Sequence, residues 1–371
     1  MPRNIYDEDH EAFRASAREF VERTLAPRAE EMIRDHVIAR DIWLEAGKQG
    51  FFGLTIPEEF GGAGIDDYRF NAIFAEEISK FTAAVASCFG IHSDVTAPYI
   101  VSLGTEEQKQ KYLPRVATGE LILSIGMTEP SGGSDLANLK STAVKADDGS
   151  GDWILNGSKT FITNGHQCDV AVVAARTDPS KGAKGISLFL VEAGTEGLKV
   201  SDDPAMGVRA SHTGRLHLEN VEVSADNLLG TSEDALDAIR RSRLAWAALA
   251  CGTGRAVLDQ VSQYVTERKA FGEPIGHRQA VAFTVANIAI ELDGMRLATL
   301  RAAARLDSGR KPEAAAEAIA HARALVTKYG AQIGSDAVQL LGGHGFVKEF
   351  DNERWYRDLR GAGVLEGTLL V

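Results

Sequence analysis

Near the end of the chain a carboxylate, Glu366, stands between Leu365 and Gly367 in the run 357–368 (RDLRGAGVLEGT). On an exposed loop it is only a solvated charge. Buried, its pKa would rise by desolvation, as a general base needs. A second run, 125–135 (IGMTEPSGGSD), places Gly132 and Gly133 where the backbone can approach a ligand closely, beside the hydroxyls of Thr128, Ser131 and Ser134. The same residues fit a glycine-rich turn held by Asp135. In 153–165 (WILNGSKTFITNG) residues 156–157 read as a tight hairpin turn. Beyond it Phe161 and Thr163 alternate onto one face, which suits core or one wall for a flat ring. The run 264–279 (YVTERKAFGEPIGHRQ) breaks at Gly272 and Pro274, and Arg268, Lys269, His277 and Arg278 make it the densest positive cluster. That cluster suits an anionic diphosphate, and it equally suits a solvated face. Residues 339–345 (QLLGGHG) add another glycine-rich break.

Composition limits the chemistry. The 371 residues carry 40 Lys and Arg against 52 Asp and Glu, a net charge of −12. That balance is poorly suited to a nucleic-acid backbone, whose affinity comes from Lys and Arg. Cys88, Cys168 and Cys251 are far apart, with no paired spacing for zinc and no disulfide framework. The nine histidines form no HxxxH pattern, so no metal site is expected. No apolar run approaches the ~18 residues of a membrane span. The opening, MPRNIYDEDHEAF, is acidic and lacks an apolar signal core. A cytoplasmic protein is expected, or a mitochondrial matrix protein whose targeting segment is missing. A Rossmann fingerprint is also absent: Gly252 and Gly254 have Val257 in the third place, within an apolar helix, where small residues allow close packing.

The elements that must position these residues fall into three textures. Phe13, Ala17, Phe20, Val21 and Leu25 share one helical face, with Asp7, Glu8 and Asp9 at its start and Pro27 at its end. Further helices are predicted over 41–49, 68–80, 83–103 and 105–118, with Pro98 interrupting the third of these. From 121 to 229 the runs become short and β-branched: 153–155, 170–173, 186–191 and 216–223. Broken alternation in the last predicts a bulge near Asn220. The pattern is that of an antiparallel sheet. Long Ala- and Leu-rich helices follow over about 233–268, 278–308 and 313–341, with short joins that suggest a bundle. The fold class is therefore α+β with segregated domains, taken as 1–120 (helical), 121–230 (central β) and 231–371 (helical bundle).

Taken together, in this order and at these separations, the runs resemble the acyl-CoA dehydrogenase family over nearly the whole chain. The loop 57–64 (PEEFGGAG) and 105–114 (TEEQKQKYLP) add to the likeness. Residues 90–93, 153–159 and 186–191 look closest to long-chain-type members. The resemblance implies an N-terminal helical domain, a central β domain and a C-terminal four-helix bundle. It also implies non-covalent FAD and a homotetramer built as a dimer of dimers. Electrons would go to an electron-transferring flavoprotein, and the reaction would convert an acyl-CoA thioester to a trans-2-enoyl-CoA.

By position, the resemblance assigns Ile125, Met127, Thr128, Gly133 and Ser134 to the flavin and its diphosphate arm, with Ser134 also touching CoA. Phe161 and Thr163 pack on the isoalloxazine; Trp is frequent in the family where Phe161 stands. Arg268, Phe271, Gln279, Gln339, Gly342 and Gly343 bind the adenine dinucleotide end from a neighbouring subunit, and Thr368 contacts the cofactor. Arg243, Glu366 and Gly367 face the substrate, and Glu366 is the base. Some members carry the base on the helix near Arg243, where this chain has Ser242, Arg240 and Arg241 instead. Acyl-pocket depth is expected to depend on inward residues of the helices around 83–103 and 235–250. Members usually continue through another helix, and Leu369 and Leu370 stand where polar residues often contact the cofactor; either the sequence is truncated or this branch differs, and flavin affinity and assembly are the properties that depend on which. The rival readings are an acyl-CoA oxidase or flavin monooxygenase on the same fold, a non-catalytic partner subunit, and a DNA-associated relative.

Overall fold

The structure, a computed structural model, describes residues 5–231, 236–307 and 312–365. Glu366, Gly367 and Thr368 lie outside the described residues. The chain begins with α1 (Glu8–Phe20), whose start is fixed by a capping box: the His10 amide donates to Asp7 Oδ1 at 3.1 Å, and the acids of the first turn face the positive helix end. It ends through a π turn and a 3₁₀ turn that contains Pro27. Next come α2 (Ala29–Asp35), α3 (Arg40–Lys48) and α4 (Tyr68–Phe81). The long helix predicted over 83–103 is three pieces: α5 (Ala83–Gly90), a π turn over Ile91–Thr96, and α6 (Ala97–Leu103). Pro98 sits in the first turn of α6, where its missing N–H is least costly. Helix α7 (Glu106–Ala117) starts at a Thr105–Gln108 capping box.

The middle of the chain supplies β1 (Leu123–Gly126), β2 (Thr142–Lys145), β3 (Trp153–Ile162), β4 (Val170–Arg176), β5 (Ile186–Glu192), β6 (Leu198–Asp202), β7 (Gly214–Val223) and β8 (Leu228–Thr231). The sheet order is β6-β7-β3-β2-β4-β5-β8, with β1 added beside β4. The sheet is mixed rather than purely antiparallel: β1 pairs with β4 in parallel over Leu123↔Val170 to Gly126↔Val173, and β2 meets β4 in parallel at Thr142↔Arg176. Strand β4 is apolar from Val170 to Ala175, where both of its faces are buried. Val170, Val172 and Ala174 pack with Tyr99, Ile100 and Leu113 of the helices, while Ala171, Val173 and Ala175 pack with Leu155, Leu216 and Phe189 of the sheet.

Residues 156–157 are not a turn. They lie inside β3, and the chain reverses at 146–152, where the Ala146 amide donates to Asp152 O at 2.9 Å. Gly157 is required for packing: a Cβ there would lie 2.2 Å from Ser141 Oγ. Asn156 faces the predicted bulge, which is present. The β3–β7 register slips between Leu155↔Val221 and Gly157↔Leu218, and Asn220 adopts φ 52° with its amide bonded to Asn156 Oδ1 at 2.9 Å.

After the sheet come α8 (Leu236–Glu267), a two-stranded hairpin of β9 (Lys269–Ala270) and β10 (Glu273–Pro274), α9 (Gln279–Asp307), α10 (Pro312–Leu341) and α11 (Asn352–Gly361). One apolar core joins the first helices to the last. Gly252 lets α8 press on α4, since a Cβ there would lie 2.2 Å from Glu76 O. The buried carboxylates Glu76 and Glu77 of α4 also tie it to α9 and α1. Arg296 reaches Glu76 at 3.1 Å, and Arg14 and Lys80 each reach Glu77 at 2.8 Å. Burial alone would raise Glu77, but Arg18, Lys80 and Arg14 outweigh it and hold the carboxyl at about 2. No helix among the described residues is long and apolar enough to cross a membrane.

Candidate active site

The loop that leaves β1 is built on one buried charge. Glu129, 4% exposed, accepts the Ser141 amide at 2.9 Å, the Lys140 amide at 2.5 Å and the Lys159 ammonium at 2.7 Å. Lys159, fully buried on β3, also reaches Met127 O at 3.4 Å. Burial by itself would raise the Glu129 carboxyl. Lys159 and the two amides outweigh that and hold it at about 2. Burial pulls the Lys159 ammonium down, and Glu129 opposes that pull. Ser131 Oγ is a fourth donor to the carboxylate, at 3.2 Å. Above it, Glu129 and Gly132 exchange backbone hydrogen bonds at 3.0 Å, closing a tight turn. Gly132 has open space where a Cβ would be, and a Cβ on Gly133 would lie 3.2 Å from Thr128 Cγ2. Ser131 and Ser134 are exposed, and Ile125, Met127 and Thr128 are half-buried.

Beside this loop, the Thr160 amide donates to Thr128 O at 2.9 Å, which brings β3 against it. The regular alternation expected through Phe161 and Thr163 is broken. Phe161 adopts φ 59°, and the β3–β7 register slips between Lys159 and Ile162. A non-glycine residue pays for this region only when its surroundings fix it. Here Asp203 does so, accepting the Phe161 amide at 2.9 Å and the Thr160 hydroxyl. Burial would raise the Asp203 carboxyl, and Thr160, Phe161 and Arg215 together lower it. The Phe161 ring is consequently 58% exposed. Thr163 is half-buried, with its carbonyl accepting Ser124 Oγ at 2.7 Å. The result is an exposed aromatic ring beside an exposed glycine-rich turn held from below by Glu129 and Lys159. That arrangement fits a flat ring carrying an anionic tail.

The expected dinucleotide residues meet elsewhere, at the shared end of α8 and α10. The β9–β10 turn has positive φ at Phe271 (56°) and Gly272 (89°), and Phe271 is 92% exposed with the Arg278 guanidinium 4.8 Å from its ring centre. Arg268 and Gln279 are exposed next to it. Tyr264, one turn before Arg268, bonds His344 Nδ1 at 3.1 Å, so the 342–346 turn is drawn to the same end. Gly342 and Gly343 have open space at their Cβ positions, and Gln339 is exposed one turn earlier. Of the expected substrate residues, Arg243 is exposed on α8, and Ser242 beside it is buried. Among the described residues no cluster of His, Cys, Asp and Glu could hold a metal ion.

Sequence reasoning missed Glu129, Lys159 and Asp203. One signal was available for Lys159: it lies four residues after the buried Leu155 and so on the same face of β3, where a lysine requires a buried partner.

Comparison with known proteins agrees with this architecture. Models of the acyl-CoA dehydrogenase N-terminal, middle and C-terminal domains match residues 7–120, 124–221 and 233–370. A 3-(aryl)acrylate reductase of Clostridium sporogenes is 35% identical over 369 residues, 98% of this chain and 96% of that protein. An acyl-CoA dehydrogenase structure from Geobacillus kaustophilus superposes with a TM-score of 0.93 at 35% identity, over 98% of this chain and 95% of that one. A glutaryl-CoA dehydrogenase of Mycobacterium smegmatis, solved with FADH2, gives a TM-score of 0.90 at 29% identity, over 98% and 92%. The helical, sheet and helical order with this loop and ring defines a flavoprotein oxidoreductase. The chain belongs to the acyl-CoA dehydrogenase family, whose members depend on FAD.

Proposed function

We propose that this protein removes two hydrogens from the α- and β-carbons of an acyl-CoA thioester and passes the electrons to an electron-transferring flavoprotein. The observation that carries the reading is Phe161, held exposed at positive φ by Asp203 beside the loop fixed by Lys159 and Glu129. Those residues offer a ready wall for the isoalloxazine, and Ile125, Met127, Thr128, Gly133 and Ser134 offer the cradle for its diphosphate arm. FAD, when bound, supplies the acceptor for the β-hydrogen as hydride. Glu366 is assigned the α-proton, and its backbone N–H the stabilisation of the thioester oxygen, where negative charge develops. Arg243 and Gly367 line the substrate, and Thr368 faces the cofactor.

In this reading Arg268, Phe271, Gln279, Gln339, Gly342 and Gly343 serve the adenine dinucleotide end of a FAD held by a neighbouring copy. Helix α9 supports such an assembly: Phe283, Ile290 and Leu297 recur every seven residues and are exposed. An apolar seam at that spacing suits a second helix. A homotetramer, a dimer of dimers, in the cytoplasm or mitochondrial matrix completes the proposal.

The test is an anaerobic titration of the yellow protein with acyl-CoAs of graded length, followed by reoxidation with electron-transferring flavoprotein or with air. Bleaching by acyl-CoA, faster reoxidation by the flavoprotein than by oxygen, and a Glu366→Gln variant that stays yellow but does not bleach are expected. A colourless protein, or unchanged bleaching in Glu366→Gln, overturns the reading.

A further inference from the structure

Between α4, α5 with the π turn that follows it, and α8 lies a small cavity of about 20 Å³, lined by Phe74, Ile78, Ser87, Asp94, Trp246 and Leu249. It lies between the two helical stretches expected to set acyl-pocket depth. It also adjoins the end of the described chain. A Cβ on Gly361 would lie 3.9 Å from Trp246 Cζ3 and 3.5 Å from Leu365 Cδ1, and Leu365 precedes Glu366 in sequence.

Two features of the cavity set what it accepts. The first is size. A space of 20 Å³ holds about one water-sized group, and Trp246, 5% exposed in the core, forms part of its wall.

The second is polarity at an otherwise apolar lining. Ser87 is 4% exposed, and its hydroxyl has no hydrogen-bond partner. Asp94 also lines the cavity. It is carried there by the π turn Ile91–Thr96, an insertion of the kind that recurs at functional sites. Its carboxylate accepts Asn71 Nδ2 at 2.7 Å and Ser93 Oγ at 3.0 Å, so it is anchored from behind. An alkyl tail in this space would leave Ser87 unpaired beside a carboxylate. A hydroxyl avoids this, accepting from Ser87 or adding a donor to the Asp94 carboxylate that Asn71 and Ser93 already hold. A carboxylate-tailed acyl group would meet the charge of Asp94 and be repelled.

We infer that the site, on the acyl-CoA reading above, takes a short acyl thioester whose far end carries a hydroxyl, seated between Ser87 and Asp94, with Trp246 limiting its length. The test uses the FAD-loaded protein and anaerobic flavin bleaching with thioesters matched in heavy-atom length. 4-Hydroxybutyryl-CoA is compared with pentanoyl-CoA, 5-hydroxypentanoyl-CoA with hexanoyl-CoA, and glutaryl-CoA serves as the acidic control. The hydroxylated member of at least one pair is expected to exceed its alkyl partner in kcat/KM by about tenfold, the scale of one well-made hydrogen bond at a desolvated site. Glutaryl-CoA is expected to be the poorest. Asp94→Asn should narrow the hydroxyl-to-alkyl ratio. Ser87→Ala, a small exchange that a helix tolerates, should narrow it as well and serves if Asp94→Asn does not fold. Bleaching by all the alkyl thioesters with no hydroxyl preference, or a ratio unchanged in Ser87→Ala, overturns this inference and leaves the dehydrogenase reading standing. Bleaching by no acyl-CoA of any kind overturns both.

Discussion

Replacing Lys159 by methionine keeps most of the buried stem and removes only the charge that faces Glu129. In the native protein the Glu129 carboxyl is held at about 2 against an ordinary 4.5. That difference corresponds to about 3 kcal/mol of native-state preference for the ionised form. The folded value is depressed, so this stability is present above pH 4.5 and is lost as the pH falls toward 2. In Lys159→Met the carboxylate keeps the amides of Lys140 and Ser141 but loses its counter-charge within a buried site. Removing one partner of a buried pair costs about 3–5 kcal/mol. The variant should therefore unfold at markedly lower urea at pH 7, followed through Trp153, which lies on the same strand as Lys159. The gap to wild type should shrink as the pH approaches 4, because Glu129 in the variant can be protonated. The double variant Glu129→Gln, Lys159→Met should lose less than the two single losses added, since no lone charge remains. FAD retention should fall with Lys159→Met as well, because Met127 and the turn at 129–132 lose their anchor. A Lys159→Met protein within about 0.5 kcal/mol of wild type at pH 7, or a gap that is constant from pH 7 to 4, would refute the reasoning.

Phe161→Gly should leave the urea midpoint unchanged or raise it slightly, because φ 59° costs a side-chain residue about 1 kcal/mol and the exposed ring contributes little burial. FAD retention should drop in the same variant, and a clear loss of stability would show that the ring is core. Asp358 is buried, and burial raises its carboxyl despite the bond from the Val208 amide at 2.6 Å. A raised folded value favours the native state at low pH and opposes it as the pH rises through that value. Asp358→Asn should therefore match or exceed wild-type thermal stability at pH 8, with the difference closing toward pH 4; a variant less stable at pH 8 contradicts this. Ile290→Glu should reduce the mass seen in sedimentation, because it places a charge in the apolar stripe of α9. An unchanged mass removes α9 as the interface.

The local pattern was legible. Helix faces, the positions of most strands, the Asn220 bulge and the close packing at Gly252 follow from spacing, capping and residue size within a few neighbours. So did the short runs that resemble the family, because a loop or helix break that approaches a ligand is encoded in consecutive residues. What the fold alone decided is non-local. The parallel pairing of β1 with β4 and the passage of residues 156–157 through β3 depend on which strands lie alongside. Lys159 meets Glu129 across 30 residues, and Asp203 reaches Phe161 across 42. The cavity between α5 and α8 brings Ser87 and Asp94 to Trp246, more than 150 positions away by the numbering. A buried charge or hydroxyl is tolerable only where a partner arrives from elsewhere in the chain. Periodicity can say that such a residue faces inward, but only the assembled core determines what it meets there.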